Sequence, residues 1–129
     1  MEQYEILITD EFSAAHRLRM HDGAYEPLHG HNWRVEVMIL GPRLDSAGLL
    51  ADFTELRPAV RRVIGELHDR CLNEHPAFAE VNPSTEQVAR YIYDRLVTQI
   101  PPGARLAKVR VWETSHCAAA YLAPDPPAT

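Results

Sequence analysis

The segment Leu28–Leu40, with the sequence LHGHNWRVEVMIL, alternates between two kinds of side chain along most of its length. Side chains of a β-strand point in turn to the two faces of a sheet, so this pattern predicts a strand with one buried face. The apolar side of the alternation carries two imidazoles at its start, and the residues on that side are His29, His31, Trp33, Val35, Val37 and Ile39.

A first strand is predicted upstream, over residues 3–17. Its apolar residues share one parity and lead to a third histidine on the same face; they are Ile6, Ile8, Phe12, Ala14 and His16. Two long strands joined by the loop Met20–Pro27 predict an antiparallel hairpin. We therefore expect three imidazoles on the apolar side of one hairpin.

Two helices are predicted after the hairpin. Apolar residues recur at helical spacing between Phe53 and Leu67, and Asp52 or Thr54 is expected to cap this helix. Because proline is tolerated only near the start of a helix, Pro58 is expected in or near the first turn.

The second helix has a clearer beginning. Ser84 and Gln87 form a capping box, and the segment Pro101–Gly103 ends the helical pattern. Two more strands are predicted, over about 106–114 and 117–122, so the element order is β-β-α-α-β-β.

Length and composition predict one globular domain over residues 1–123 and a flexible Pro-rich tail over 124–129. The 129 residues are 46% hydrophobic and 24% charged, which argues against a disordered chain. No apolar run approaches the roughly 20 residues of a membrane helix, and the N-terminus has no basic leader region. We therefore expect a cytoplasmic protein with no membrane partner.

Charge and cysteine content narrow the function further. The formal net charge of −5 argues against nucleic acid as a partner, although a local basic cluster is still compatible with a small anionic ligand. Cys71 and Cys117 make no disulfide framework and are expected to stay reduced.

The three histidines carry the first chemical signal. A lone buried histidine is ordinarily a core residue, but three imidazoles on one buried surface are costly unless something satisfies their nitrogens. A zinc ion held by His16, His29 and His31 would do so and would leave one coordination position open, as in catalytic zinc sites. Three imidazoles also suit iron, nickel or copper.

Glu113 carries the second signal. It shares the parity of Val109 and Val111 on the predicted third long strand, so its carboxylate lies on the apolar side. Either it reaches solvent at the strand end, or it accepts two parallel N–H donors from a flat heterocycle such as a pterin or guanine.

Taken in order, these pieces resemble the 6-pyruvoyltetrahydropterin synthase and 6-carboxytetrahydropterin synthase family. The likeness covers residues 3–122 and consists of FSAAHRL at 12–18, LHGHNW at 28–33, Gly48 to Asp52-Phe53, Leu72-Asn73, PSTE at 83–86 and Glu113-Thr114. The resemblance implies an α+β tunnelling fold, with a four-stranded antiparallel sheet and two helices on one face. It also implies a homohexamer made of two trimers, active sites between subunits, zinc as cofactor and 7,8-dihydroneopterin triphosphate as substrate.

Position by position, the resemblance makes His16, His29 and His31 the zinc ligands and Glu113 the pterin anchor, while Thr85 and Glu86 line the pterin pocket. It implies a lyase in which zinc acts as a Lewis acid on the side-chain hydroxyls of the substrate. Arg17 and Arg19 are either phosphate contacts or solvated surface residues.

The sequence departs from the family at its usual catalytic cysteine. Tyr25 occupies that position, and the neighbouring Glu26, three residues before His29, resembles a variant class in which glutamate replaces the cysteine. That class cuts the side chain to give 6-hydroxymethyl-7,8-dihydropterin, a folate precursor, whereas the common bacterial branch makes 6-carboxytetrahydropterin for queuosine. A carboxylate near zinc is a suitable general base; otherwise Glu26 is an exposed loop residue.

The helix-end motif departs as well. Family members usually read Asp-His before Leu-Asn, whereas this chain reads His68-Asp69, so the general base is to be sought among Glu26, Asp69 and His68. Two other readings stay open, namely a divergent enzyme acting on another pterin or purine-like substrate, and a non-catalytic metal- or pterin-binding protein. His21 and His116 are further candidates near the pocket, and the resemblance assigns them no role.

Overall fold

The computed structural model describes residues 2–124, so most of the predicted tail at 124–129 lies outside the described residues. The elements are β1 (Tyr4–His16), β2 (His29–Gly41), α1 (Phe53–Gly65), β3 (Arg70–Cys71), α2 (Thr85–Leu96), β4 (Arg105–Trp112) and β5 (Ala118–Leu122). Short 3-10 turns cover Leu72–Glu74, Pro76–Phe78 and Val97–Gln99. The strands form one sheet in the order β3-β1-β2-β4-β5.

The predicted hairpin is confirmed. β1 and β2 pair antiparallel without a break, from Tyr4 opposite Gly41 to His16 opposite His29. The residues that share the predicted apolar parity in β2 become fully buried from Trp33 onward. The alternation thus sets the register of the hairpin, because a slip by one residue would turn the whole apolar set to solvent.

The sheet has five strands, and the expectation of four was wrong. The additional strand β3 runs parallel to β1 and pairs Arg70 with Ala14 and Cys71 with Ala15. Two residues are too few to show an alternating pattern, and β3 is joined to the sheet through backbone hydrogen bonds alone. A sequence pattern therefore does not reveal it.

Both helices begin where their caps predict. Asp52 accepts a hydrogen bond from the Thr54 backbone N–H, and Ser84 accepts one from that of Gln87. Pro58 is the sixth residue of α1 and lies in its second turn, later than expected. Because proline has no N–H, the helix lacks the hydrogen bond from residue 58 to the carbonyl of Thr54.

The helices cover one face of the sheet and bury a single core. That core joins the inward side chains of β1, β2 and β4 to the apolar stripes of the two helices, including Phe12, Trp33, Val63, Ile92 and Val109. Among the described residues, no helix covers the opposite face of the sheet, and there Trp112 donates its indole N–H to Glu36. Between residues 2 and 124, neither helix is long and apolar enough to cross a membrane.

Candidate metal centre

The hairpin brings the three predicted imidazoles together at one end of the sheet. His16 lies opposite His29 in the β1–β2 register, and His31 follows two residues later on the same face. One ring nitrogen of each histidine lies within 4.8 Å of those of the other two. The three residues therefore form a compact donor set that opens at the end of the hairpin.

The hydrogen bonds of two imidazoles select the nitrogen that faces the cluster. His16 donates from Nδ1 to the carbonyl oxygen of Pro83, and His29 donates from Nδ1 to that of Pro27, each over 2.8 Å. A carbonyl oxygen only accepts, so Nδ1 holds the proton and Nε2 presents its lone pair. This is the usual arrangement of metal-binding histidines, whose second nitrogen is held by a backbone or carboxylate acceptor.

Two of the ring nitrogens in the cluster are buried without a hydrogen-bond partner. Nε2 of His16 and Nε2 of His31 are buried and make no hydrogen bond within the described residues. Burial lowers the pKa of His31, and the neighbouring His16 and His29 lower it further, while Glu113 acts in the opposite direction. Two buried nitrogens without a partner and a third donor beside them fit a divalent transition metal ion.

An aromatic floor supports the cluster. Trp33 is fully buried, and its ring meets those of His16 and His31 edge to face at centroid distances of 4.8 and 5.2 Å. Its indole N–H donates to the carbonyl oxygen of Ala14, and Phe12 stacks nearby with an almost parallel ring. The imidazoles of His16 and His31 thus pack against a rigid, buried aromatic group.

Glu113 lies one residue beyond the end of β4, with its carboxylate turned toward the imidazoles. Its Oε1 is 3.7 Å from Nε2 of His16 and 3.8 Å from Nε2 of His31. The hydroxyl of Thr85, the first residue of α2, donates to the same oxygen over 2.9 Å. The neighbouring Glu86 is exposed. A negative carboxylate therefore borders the donor set and is fixed by α2.

Glu26 borders the donor set on the other side. Its Oε1 accepts a hydrogen bond from the Leu18 backbone N–H over 3.1 Å and lies 3.9 Å from Nε2 of His29. Tyr25, which was predicted to occupy the family's cysteine position, is half exposed and carries the guanidinium of Arg17 on its ring. The carboxylate that follows Tyr25, and not the phenol, thus faces the donor set.

His68 and Asp69 lie elsewhere, at the β3 edge of the sheet. His68 accepts the Ser13 backbone N–H at Nδ1, and the Asp69 backbone N–H donates to the carbonyl of Ser13. Both side chains are exposed and contact each other at 3.3 Å. Among the described residues, neither of them forms a hydrogen bond or ion pair with the three imidazoles, although Asp69 and His31 line the same cavity.

The remaining sequence candidates lie at the surface. Arg17 and Arg19 line a groove of about 510 Å³ beside Pro83, which they share with the acidic Glu74 and Glu80. His21 is exposed in the loop of the hairpin, and the imidazole of His116 forms a hydrogen bond with its neighbour Ser115.

The sequence patterns did not reveal the polar groups that orient the imidazoles and support the segment Arg17–Arg19. Asn73 and Asn82 form hydrogen bonds to the backbone of Arg17 and Arg19, and the carbonyls of Pro27 and Pro83 orient two of the imidazoles. Backbone carbonyls leave no trace in a sequence pattern. Of the two asparagines, only Asn73 belonged to a motif named above, Leu72-Asn73.

Comparisons with known proteins agree with this geometry. The family described as 6-pyruvoyl tetrahydropterin synthase matches residues 5–124. A dihydroneopterin monophosphate aldolase of Pyrococcus furiosus is 32% identical over 84% of this chain and 88% of its own. A 6-carboxy-5,6,7,8-tetrahydropterin synthase of Bacillus subtilis is 33% identical over 81% of this chain and 77% of its own. These relatives are enzymes.

Solved structures show the same fold. The 6-pyruvoyl tetrahydropterin synthase of Caenorhabditis elegans superposes with a TM-score of 0.83 at 24% identity and covers 96% of this chain and 98% of its own. A Plasmodium vivax 6-pyruvoyltetrahydropterin synthase with a catalytic glutamate replaced by alanine gives a TM-score of 0.75 at 20% identity over 94% and 98%. The fold is therefore the tunnelling fold, and the chain belongs to the 6-pyruvoyl tetrahydropterin synthase family.

Proposed function

We propose that the protein is a zinc-dependent lyase that cleaves the side chain of 7,8-dihydroneopterin triphosphate and releases 6-hydroxymethyl-7,8-dihydropterin. The observation that carries this proposal is the carboxylate of Glu26, which a backbone N–H holds 3.9 Å from Nε2 of His29. Two comparisons support it, since one relative is an aldolase for a dihydroneopterin phosphate and another family member has a catalytic glutamate.

His16, His29 and His31 would hold the zinc ion. When bound, zinc supplies a Lewis acid for the vicinal hydroxyls of the substrate side chain and so makes their protons easier to remove. The donor set fits this role because its buried Nε2 atoms have no protein partner within the described residues. Imidazoles suit zinc, and three of them leave a position open for substrate.

Glu26 would act as the general base. Its carboxylate takes the proton from the second side-chain hydroxyl, and the bond between the first and second side-chain carbons breaks. The electron pair of that bond forms a double bond from the first side-chain carbon to C6, while the π pair of the C6=N5 bond moves onto N5. Protonation of the first side-chain carbon then gives the hydroxymethyl group, and the remaining two carbons leave as phosphorylated glycolaldehyde. The step balances without an oxidant or reductant.

Glu113 would anchor the pterin ring. Thr85 holds one of its oxygens, and the planar carboxylate can accept parallel hydrogen bonds from the amino and ring N–H groups of a pterin. Glu86, at the start of the same helix, would line the pocket. Glu113 and the three histidines are adjacent, which matches a substrate whose side chain is bonded directly to the pterin ring.

The active site would be completed in a homohexamer. His68 and Asp69 form an ion pair with each other and none with the imidazoles of their own subunit, and among the described residues no helix covers one face of the sheet. Most of the outer edge of β1 is also unpaired among the described strands, because β3 reaches only Ala14 and Ala15. A free strand edge is normally covered by another element or chain, and a neighbouring subunit would bring its own His68 and Asp69.

A second candidate function has its own support. The Bacillus subtilis relative makes 6-carboxy-5,6,7,8-tetrahydropterin, and it is as similar to this chain as the aldolase is. In that case the triphosphate is eliminated from the same substrate, and the base would be sought in the His68–Asp69 pair. The aldolase relative also makes the monophosphate an alternative substrate.

The deciding experiment is product identification. Zinc-loaded protein is incubated with 7,8-dihydroneopterin triphosphate and, separately, with the monophosphate, and the pterin products are identified by mass spectrometry. We expect 6-hydroxymethyl-7,8-dihydropterin. A 6-carboxy product would support the second candidate, and a folded, metal-loaded protein without any product would point to another substrate or to binding alone.

A further inference from the structure

The segment Arg17–Arg19, directly after β1, behaves as a continuation of that strand. Arg19 forms an isolated antiparallel bridge with Tyr25, and Met20 and Ala24 close the tip of the hairpin. In an extended chain the backbone groups of successive residues point to opposite edges. The N–H and C=O of Leu18 therefore face one side, and those of Arg17 and Arg19 face the other.

Two asparagine side chains occupy the outer edge of this segment in place of a neighbouring strand. Asn73 accepts the Arg17 N–H at 2.9 Å and donates to the Arg17 carbonyl at 2.8 Å. Asn82 does the same with Arg19, at 2.9 and 2.8 Å. Each amide thus satisfies both backbone groups of one arginine. Asn73 follows β3, so these contacts extend the parallel edge that β3 begins.

The inner edge of the same segment holds Glu26. The Leu18 N–H donates to Oε1 of Glu26, and the Glu26 N–H donates to the Leu18 carbonyl at 3.0 Å. The position of the carboxylate therefore depends on Leu18, and the position of Leu18 depends on the two residues that flank it. No other side chain among the described residues forms a hydrogen bond with Glu26.

The asparagine at position 82 also links this segment to the donor set. The next residue, Pro83, accepts the Nδ1–H of His16. One dipeptide thus fixes a metal ligand through a carbonyl and the segment that holds Glu26 through an amide side chain. The dipeptide Asn82-Pro83 therefore helps to set the distance between the Glu26 carboxylate and the imidazoles.

We propose that Asn73 and Asn82 are positioning residues that hold the Glu26 carboxylate against the donor set through the backbone of Arg17–Arg19. The role of Glu26 as the base rests on the proposed function, whereas the support of Leu18 by the two asparagines does not. Neither asparagine touches the imidazoles or needs to touch substrate. They act by keeping one carboxylate oxygen at a fixed place.

The test uses Asn73→Ala and Asn82→Ala in the zinc-loaded full chain, with two readouts. Hydrogen exchange of the Leu18 amide, followed by NMR, should become about tenfold faster in each variant because loss of a backbone clamp frees the segment. The value of kcat should fall about tenfold or more, while KM and bound zinc stay within about twofold. Asn73→Asp and Asn82→Asp keep the acceptor oxygen and should recover part of both losses.

Gln99→Ala is the matched control, since Gln99 also donates an amide N–H to a backbone carbonyl, at the far end of α2. It should leave the Leu18 amide and kcat unchanged. Wild-type exchange at Leu18, or unchanged kcat, in both alanine variants would overturn the proposal. If the alanine variants do not fold, the aspartate variants alone test the proposal. Full activity together with unaltered Leu18 exchange in the aspartate variants would then overturn it.

Glu26→Gln separates this proposal from the proposed function. Glutamine keeps the acceptor for the Leu18 N–H, so exchange at Leu18 should stay slow while turnover is lost. Wild-type turnover of Glu26→Gln would refute Glu26 as the base, and with it the catalytic purpose of the clamp. Faster Leu18 exchange in the asparagine variants would still show that the clamp holds the segment.

Discussion

Thr85 donates its hydroxyl to Oε1 of Glu113 over 2.9 Å, and that same oxygen lies 3.7 Å from Nε2 of His16. The first residue of α2 thus fixes a carboxylate at the rim of the donor set. Thr85 is one of only two buried polar residues in the described chain, the other being His16. A buried hydroxyl that donates to a carboxylate leaves the second oxygen of Glu113 free to face a ligand.

Thr85→Val should weaken pterin binding. Valine keeps the shape of the side chain and removes the donor, so Glu113 loses the contact that fixes its rotamer. Because a hydrogen bond to a charged group contributes about 1.5–3 kcal/mol, we expect KM to rise at least about tenfold, with bound zinc unchanged. Steady-state kinetics and metal analysis check this. Thr85→Ser, which retains the hydroxyl, is the control, and a wild-type KM for the valine variant would contradict the anchor role.

His29→Ala should remove the metal without harming the fold. The imidazole of His29 is 39% exposed, whereas that of His16 is 1% exposed. Loss of His29 therefore leaves no buried cavity, and we expect the melting temperature of the metal-free protein to stay within about 2 °C of wild type. Metal analysis should show loss of the ion.

His16→Ala provides the contrast. It removes a ligand and also opens a cavity beside Trp33, so the metal-free protein should be less stable by about 2 kcal/mol. Full retention of metal by either variant would refute the ligand assignment.

Glu26→Gln should lower turnover by about two to four orders of magnitude, the range that general-base catalysis contributes. Glutamine retains the hydrogen bond from Leu18 and cannot take a proton at neutral pH. Zinc content and the far-ultraviolet circular dichroism spectrum should match the wild type. Glu26→Asp keeps a carboxylate one carbon shorter and should be intermediate; equal turnover in all three proteins would move the base elsewhere.

A separate cluster of Glu66, Tyr91 and Arg95 makes the stability of the folded chain depend on pH in acid. Arg95 holds Glu66 through two hydrogen bonds, of 2.9 and 2.7 Å, and Tyr91 donates a third at 2.6 Å. The hydrogen bonds from Arg95 lower the pKa of Glu66 to about 2, with Tyr91 adding to the effect. Burial, together with the Glu66 carboxylate, raises the pKa of Tyr91 to about 12.

A carboxylate with a lowered pKa stabilises the folded state above its unfolded pKa, about 4.5, and loses that effect as pH falls through the folded value. Glu66→Gln should therefore cost about 1 kcal/mol near pH 7, allowing for the half-exposed Arg95. The difference from wild type should shrink between pH 4.5 and 2. Urea unfolding at several pH values measures it, and a constant difference would contradict the ionic origin.

The alternating side chains of β1 and β2 were enough to predict the hairpin and the meeting of His16, His29 and His31 on its apolar side. Parity also placed Glu113 on the correct side, although it lies just past the end of β4. These features depend on local periodicity, which a sequence displays directly.

Contacts made through the backbone could not be predicted in this way. β3 joins the sheet by two residues, and the clamp of Asn73 on Arg17 joins positions far apart in the chain. His68 and Asp69, two of the three candidates for the base, are joined to the backbone of Ser13 at the sheet edge, through the imidazole of His68 and the N–H of Asp69. Only tertiary structure decides such pairings, because the residues involved have no periodic pattern of their own.

All three proposed metal ligands come from one local hairpin, within residues 16–31, whereas the carbonyl that orients His16 belongs to Pro83. We therefore expect metal uptake to depend on the order of folding. Hairpins form within microseconds, so a chain with its first two strands paired already presents three imidazoles before α2 has docked. An ion captured at that stage would be enclosed as Pro83 arrives, and the finished subunit would exchange it mainly past the open side of His29.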